Sequence, residues 1–291
     1  MEMSIEIAGI RWKNSITTAA GTFSYKDSPK YYDPALLGAV TTKGVSPERW
    51  AGNEIPRIAE VTSGMLNAVG LENPGVDVYI ENELQILKAA GATVIANVAG
   101  HCKEDYLTVV RKLDITNVDM LELNVSCPNV REGGMAFGVD PDAVYGLTQE
   151  IKAITAKPVI VKLSPNVTDI CKIAAAAERG GADALSLINT LVGMRIDLKT
   201  GRPILANGTG GLSGPAIKPI AISMVYRVSR SVGIPIIGMG GIMTGEDAYE
   251  FLLAGATAVA VGTAALIDPQ APVRVLHELE ACIEKYGKPV E

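Results

Sequence analysis

The sequence predicts an α/β chain folded as a (β/α)8 TIM barrel, and three observations predict it. Short apolar runs alternate with longer amphipathic stretches along all 291 residues. Eight of the runs are rich in Val, Ile, Leu or Thr, and Gly or Pro bounds most of them, which is the mark of buried strands. The first run ends Ala19-Ala-Gly-Thr-Phe23. It lacks the glycine fingerprint that an open doubly wound sheet carries after its first strand, so the closed barrel is preferred.

The expected strands are residues 16–20, 39–43, 93–97, 121–125, 159–163, 184–189, 236–239 and 258–261. Helical patterns lie between them. Residues 78–90 place Ile80, Leu84 and Leu87 on one face. Asp140-Pro141 reads as an N-cap followed by proline at the first helical position. Thr244-Gly-Glu-Asp247 has the form of a capping box before Ala248, Phe251 and Leu252. Ahead of the first strand, residues 5–7 and 11–13 around Ala8-Gly9 read as a short N-terminal hairpin across the barrel floor. No linker or low-complexity segment divides the chain, so residues 1–291 are expected to form one domain. Two connections are long, 44–75 and 190–214; the second contains a hairpin, 196–204, turning at Thr200-Gly201. Connections of that length are usually lids or binding loops.

Composition narrows the function. The chain is 48% hydrophobic and 20% charged, an ordinary globular profile. A net charge of −6 with no basic run argues against nucleic acid. No apolar run approaches a membrane span, and Met1-Glu-Met-Ser-Ile-Glu-Ile7 lacks the charged and apolar regions of a signal peptide; a cytoplasmic protein is expected. Cys102, Cys127, Cys171 and Cys282 form no Cys-x-x-Cys pair, which argues against structural zinc, an iron–sulfur cluster on this chain or a disulfide framework. No metal site is expected. His277 falls in a charged helical pattern and reads as a surface residue, and His101 has no carboxylate partner in sequence.

In a barrel, the C-terminal strand ends share one mouth where ligands bind. Here those ends carry Ala20-Gly21, Lys43-Gly44, Asn97, Asn124 with Cys127, Lys162, Asn189-Thr190, Gly240-Gly241 and Gly262-Thr263. A lysine at the end of an apolar strand is costly unless its charge finds a partner. Lys43 and Lys162 therefore imply a ligand that is, or becomes, anionic; the alternative is that each snorkels to the rim. Glycines after strands seven and eight suit a phosphate, which needs close approach to backbone N–H groups. The asparagines offer donors and acceptors that match a planar, amide-rich ring. Together these features suggest flavin mononucleotide with a small polar heterocycle stacked on it. Cys127 sits between Ser126 and Pro128, a loop context, although a free cysteine is often only a small core residue.

At these residues the chain resembles the class 1 dihydroorotate dehydrogenases nearly end to end. The motifs that carry the likeness are Thr41-Thr-Lys-Gly44, Gly64-Met-Leu-Asn-Ala-Val-Gly-Leu-Glu-Asn-Pro-Gly75, Asn124-Val-Ser-Cys-Pro-Asn129, Val161-Lys-Leu-Ser-Pro165, Ile188-Asn-Thr190, Gly210-Gly-Leu-Ser-Gly-Pro215, Gly240-Gly241 and Gly262-Thr263. The resemblance implies an FMN-containing barrel that oxidises dihydroorotate to orotate in pyrimidine synthesis. By position, Cys127 matches the base that removes the C5 proton, after which hydride passes from C6 to flavin N5. Lys43, Asn67, Ala68, Val69, Gly70, Leu71, Asn124, Asn129, Asn189 and Thr190 match the substrate contacts. Ala20, Lys43, Gly44, Asn97, Asn124, Lys162, Ile188, Gly214, Gly240, Gly241, Gly262 and Thr263 match the FMN contacts. Many relatives have Ser where this chain has Ala20, so that contact is expected through backbone.

The 64–75 motif together with Gly133-Gly-Met-Ala-Phe-Gly138 is most similar to the class 1B catalytic subunit. That likeness implies a homodimer at the centre of a heterotetramer. FAD and an iron–sulfur cluster are then expected on a partner electron-transfer subunit, with NAD as the acceptor. Two rivals differ in what they bind. A dihydropyrimidine dehydrogenase-type subunit usually has His where this chain has Asn129. A non-catalytic phosphate-binding barrel would need no thiol at the mouth.

Overall fold

The computed structural model describes residues 3–125 and 137–289. Its first strands, β1 (Ile5–Ile7) and β2 (Ile10–Trp12), form the expected antiparallel hairpin. Ala8 and Gly9 both take positive φ in its turn, the geometry that lets a two-residue connection follow the twist of its strands. The eight strands of the barrel follow: β3 (Ile16–Thr18), β4 (Val40–Thr41), β7 (Val94–Val98), β8 (Met120–Asn124), β9 (Val159–Lys162), β10 (Ala184–Leu187), β13 (Ile236–Met239) and β14 (Ala258–Val261). All hydrogen-bonded neighbours in this sheet are parallel, in the order β3-β14-β13-β10-β9-β8-β7-β4. The seam between β3 and β4 is closed largely by hydroxyls. Thr18 Oγ1 accepts from Thr41 N–H and donates to Thr41 C=O, both at 3.0 Å, and Thr17 and Thr41 share a hydroxyl contact of 3.2 Å.

The alternation of side chains along these strands builds the interior in layers. Leu121 and Leu123 of β8 point outward to the helices, while Met120 belongs to the interior cluster. Ile95, Met120, Ile160, Ala184, Ile237 and Ala258 fill the bottom of the barrel, and Ile7 and Trp12 of the hairpin pack against them. Burying side chains of this kind contributes about 1.5–3 kcal/mol each, so the hairpin acts as a floor. Above that layer the interior turns polar, with Thr17, Thr41, Asn97, Glu122 and Ser186 all buried. Lys43, Asn124 and Lys162 stand at the top.

The long connections are not the structureless loops their composition suggests. From the first come β5 (Ile58–Val61) and β6 (Gly64–Asn67); from the second, β11 (Leu191–Gly193) and β12 (Gly210–Ser213). They pair as one antiparallel sheet, β11-β12-β6-β5. The turn at Thr200-Gly201 is present, with Ile196 bridging Pro203 and Gly201 at positive φ.

The helix expected over 78–90 runs from Val76 to Ala89, as α1 (Val76–Tyr79), a π turn (Ile80–Leu84) and α2 (Gln85–Ala89). Leu84 and Leu87 are buried and Ile80 packs on the same core. Asp140 caps the helix Pro141–Lys152 by accepting from Asp142 N–H, and Thr244 and Asp247 cap each other's backbone at the start of Gly245–Leu253. Among the described residues no helix is long and apolar enough to cross a membrane.

The π turn carries Glu83, which is only 6% exposed and has no ion-pair partner among the described residues. Burial pushes its carboxyl up from the ordinary 4.5 to about 7. A carboxyl raised in the folded state leaves stability intact below its unfolded value. Stability then falls as pH climbs from about 4.5 to about 7, and is level above that. The loss approaches about 3 kcal/mol at one pKa unit per 1.36 kcal/mol. Glu83→Gln is therefore expected to flatten the fall between pH 5 and pH 7 and to stabilise the chain at pH 8. Urea midpoints at pH 5 and pH 8 check this; a substitution that shifts both midpoints equally would contradict it.

Candidate active site

One cavity of about 570 Å³ opens at the C-terminal ends of the barrel strands, and the small sheet forms part of its wall. Every predicted contact within the described residues lines it. Of the residues matched to the cofactor, Ala20, Lys43, Gly44, Asn97, Asn124, Lys162 and Ile188 line it, with Gly214, Gly240, Gly241, Gly262 and Thr263 at the glycine turns. Of those matched to the substrate, Asn67, Ala68, Val69, Gly70, Leu71, Asn189 and Thr190 line it as well. Cys127 and Asn129 lie outside the described residues, as do residues 133–136 of the glycine motif; Asn124, three residues before Cys127, lines the cavity.

Strand register explains the convergence. Lys162 is the partner of Asn124 on one side and of Ser186 on the other. It is 5% exposed, and among the described residues its ammonium has neither hydrogen bond nor ion pair. Lys43, just after β4, is half-buried and lines the same cavity. Burial pushes its ammonium below the usual lysine range; Arg57 and Lys162 act in the same direction and Glu72 opposes them. A negative group brought into this cavity would offset both desolvated cations.

The next strand pair carries the amide. After Lys43-Gly44 the pairing of β4 with β7 resumes, with Val45 N–H donating to Asn97 C=O at 2.9 Å. Gly44 is thereby held against Asn97, so closely that a Cβ there would stand 2.6 Å from Asn97 Oδ1. Asn97 donates its Nδ2 to Glu122 at 2.6 Å, while its Oδ1 is buried with no partner among the described residues. A buried acceptor without a donor costs about 1–3 kcal/mol, and here it sits in a cavity wall.

Backbone dominates at the far end. Gly214, Gly240 and Gly241 have φ of 101°, 127° and 78°. A Cβ on Gly241 would come within 2.9 Å of Gly214 C=O and 2.8 Å of Lys218 Cβ. Only glycine keeps this turn open. Thr263 and Ser213 share a hydroxyl contact of 2.9 Å, which ties the end of β14 to the small sheet. The Leu187–Ile188 peptide, at the end of β10, is cis.

Sequence reasoning missed several wall residues. Asn53, Asn166, Asn207 and Thr209 line the cavity. Asn166 follows Val161-Lys-Leu-Ser-Pro165 directly, and its amide accepts from Val192 N–H at 3.0 Å and donates to Thr190 C=O at 2.9 Å. It fixes the start of β11. Its place just past a polar strand end was the available signal. His101 stacks on Trp50 with ring centroids 3.8 Å apart, and His277 is an exposed partner of Glu280. Among the described residues no group of His, Cys, Asp and Glu could hold a metal ion.

The sequence pattern of the family described as dihydroorotate dehydrogenase matches residues 2–283. The chain belongs to the dihydroorotate dehydrogenase family. Its relatives extend the likeness over almost all of both chains. A protein of Alkaliphilus metalliredigens is 55% identical over 288 residues, 99% of this chain and 95% of its own. One of Lachnoclostridium phytofermentans is 55% identical over 98% of this chain and 95% of its own. One of Geobacillus kaustophilus is 53% identical over 98% and 92%. Each is named Dihydroorotate dehydrogenase B (NAD(+)), catalytic subunit. The class 1B resemblance drawn from the motifs is borne out, and this dihydroorotate dehydrogenase family member has the expected barrel.

Proposed function

We propose that the chain oxidises dihydroorotate to orotate for pyrimidine (UMP) synthesis, as the FMN-holding catalytic subunit of an NAD-linked enzyme. The observation that carries this reading is the cavity itself. Two desolvated lysines, a buried amide acceptor and a pair of glycine turns face one space of about 570 Å³ in a member of this family.

The residues fit FMN at both ends. Gly214, Gly240, Gly241, Gly262 and Thr263 would hold the phosphate through backbone N–H groups and a hydroxyl. Asn97, Lys162 and Gly44 would hold the ring, whose N–H can meet the buried Asn97 Oδ1. FMN, when bound, supplies the acceptor for the hydride that leaves C6 of the substrate. This chain's residues do the rest. Lys43, Asn67 and the backbone of 68–71 bind the substrate carboxylate; Asn124, Asn129, Asn189 and Thr190 orient the ring amides; Cys127 takes the proton from C5. The small sheet covers the mouth and keeps water out.

Electrons then leave to a partner subunit that carries FAD and an iron–sulfur cluster, and from it to NAD. The catalytic chain works as a homodimer within a heterotetramer in the cytoplasm, with residues 1–291 as one FMN-binding unit. Support for the homodimer comes from Val192, Met194, Ile196 and Leu198, an exposed apolar strip on the small sheet and its extension; such strips mark interfaces.

The test is an anaerobic spectrum of the purified chain before and after substrate. A flavin band bleached by dihydroorotate and not by dihydrouracil is the expected result. Bleaching by dihydrouracil alone would move the chain to the pyrimidine-degrading rival. A chain that takes up no flavin, even from added FMN, would end the cofactor assignment.

A further inference from the structure

Glu122 is a carboxylate in the middle of the barrel, 1% exposed, one layer above Met120 and Ile160. Burying such a group costs several kcal/mol unless hydrogen bonds satisfy it. An aliphatic residue would fill the same space, as Ile95 and Met120 do one layer below. Two donors, one on the adjacent strand and one two strands away, hold the carboxylate instead. Asn97 Nδ2 of β7 donates to Oε1 at 2.6 Å, and Ser186 Oγ of β10 donates to Oε2 at 2.7 Å.

The arrangement has a directional consequence. An amide can turn over and exchange its oxygen for its nitrogen; a carboxylate accepts and does not donate. With Glu122 on one side, the Asn97 nitrogen must face it and the oxygen must face away. That oxygen is the buried acceptor without a partner, in a residue that is 0% exposed and lines the cavity. Gly44, whose Cβ would stand 2.6 Å from it, brings its backbone close to this oxygen with no side chain between them. Oxidised isoalloxazine has one ring N–H, at N3.

We propose that Glu122, with Ser186 behind it, is a positioning residue that locks the Asn97 amide with its oxygen toward N3–H of the flavin. The inference rests on the cavity being the FMN site. Glu122 touches neither cofactor nor substrate; it sets which end of Asn97 the cofactor meets.

The experiment loads apoprotein, prepared from the holoenzyme, with FMN or with 3-methyl-FMN, which lacks the N3–H, and measures both dissociation constants by fluorescence quenching. The native chain is expected to prefer FMN by about tenfold, one hydrogen bond's worth. Glu122→Leu should shrink that preference to within about threefold, because a freed amide can turn either end to the ring. Glu122→Gln keeps an acceptor available and should restore most of the preference. Ser186→Ala keeps the carboxylate but removes one of its tethers. It covers the case in which Glu122→Leu does not fold, and the preference should then fall by a smaller factor. A merely structural Glu122 would weaken both flavins equally and leave their ratio unchanged, which would overturn the proposal. A native chain that binds FMN but shows no preference would overturn it too, with the FMN site intact. A native chain that binds neither flavin would remove the FMN reading and this proposal together.

Discussion

Replacing Cys127 with alanine is expected to lower turnover of dihydroorotate by about 10²–10⁴-fold, the contribution of a positioned base, while FMN stays bound. A thiol ordinarily titrates near pH 8.5, and only the thiolate can take the C5 proton. Lys43 and Lys162, desolvated in the cavity wall, provide a positive field that would favour a thiolate brought into the cavity. Turnover of the native chain should therefore rise with pH as the thiol ionises. Cys127→Ser should need a higher pH for the same rate, since a hydroxyl is the weaker acid. Stopped-flow bleaching of the flavin by dihydroorotate separates these effects from electron exit to the partner. Undiminished bleaching in the alanine variant would remove Cys127 from the chemistry, and loss of FMN along with turnover would make its role structural.

The barrel was legible because its strands are short apolar runs punctuated by glycine and proline, and all eight appear where the runs lie. Their ends are less legible: the first strand stops at Thr18 and the second at Thr41, because the residues beyond turn into the cavity wall. The antiparallel sheet over the mouth was not legible. Gly64-Met-Leu-Asn67 and Gly210-Gly-Leu-Ser213 carry little strand propensity, and their pairing joins positions such as Asn67 and Gly211. No local period reports such a contact. Glu122 was hidden for the opposite reason. The alternation Met120-Leu-Glu-Leu-Asn124 marks a strand, and Leu121 and Leu123 suggest that its apolar face looks inward. In a barrel wrapped by helices those leucines face out, so the polar positions are the interior ones. Lys162 could be read from sequence because it ends its strand, and Asn97 because it lies one residue from the end of its own; Glu122 sits mid-strand in register with Asn97, where sequence alone expects packing.

Lys162→Ala is expected to slow flavin reduction by dihydroorotate about 10²–10³-fold, the effect of removing one preorganised donor from a site of developing charge. Lys162 reaches the cavity from the end of β9, 5% exposed and with no ion pair among the described residues. A buried ammonium without a counter-charge is costly. With FMN held as proposed, it would become favourable as negative charge develops on the ring on reduction. The same charge difference has an equilibrium signature, because a group that binds the reduced ring better than the oxidised one raises the potential. The alanine variant should thus need a stronger reductant in an anaerobic titration. Lys162→Arg keeps the charge and should recover part of the potential, but not the rate, because a planar guanidinium cannot occupy the place of a compact ammonium. Lys43→Ala provides the contrast. Its ammonium lies beside Gly21 in the cavity wall and is proposed to bind the substrate, so its loss should raise KM for dihydroorotate more than it moves the potential. If the two alanine variants change potential and KM alike, the division of labour between the lysines fails, and Lys162 acts as one more positive charge rather than as the group matched to reduced flavin.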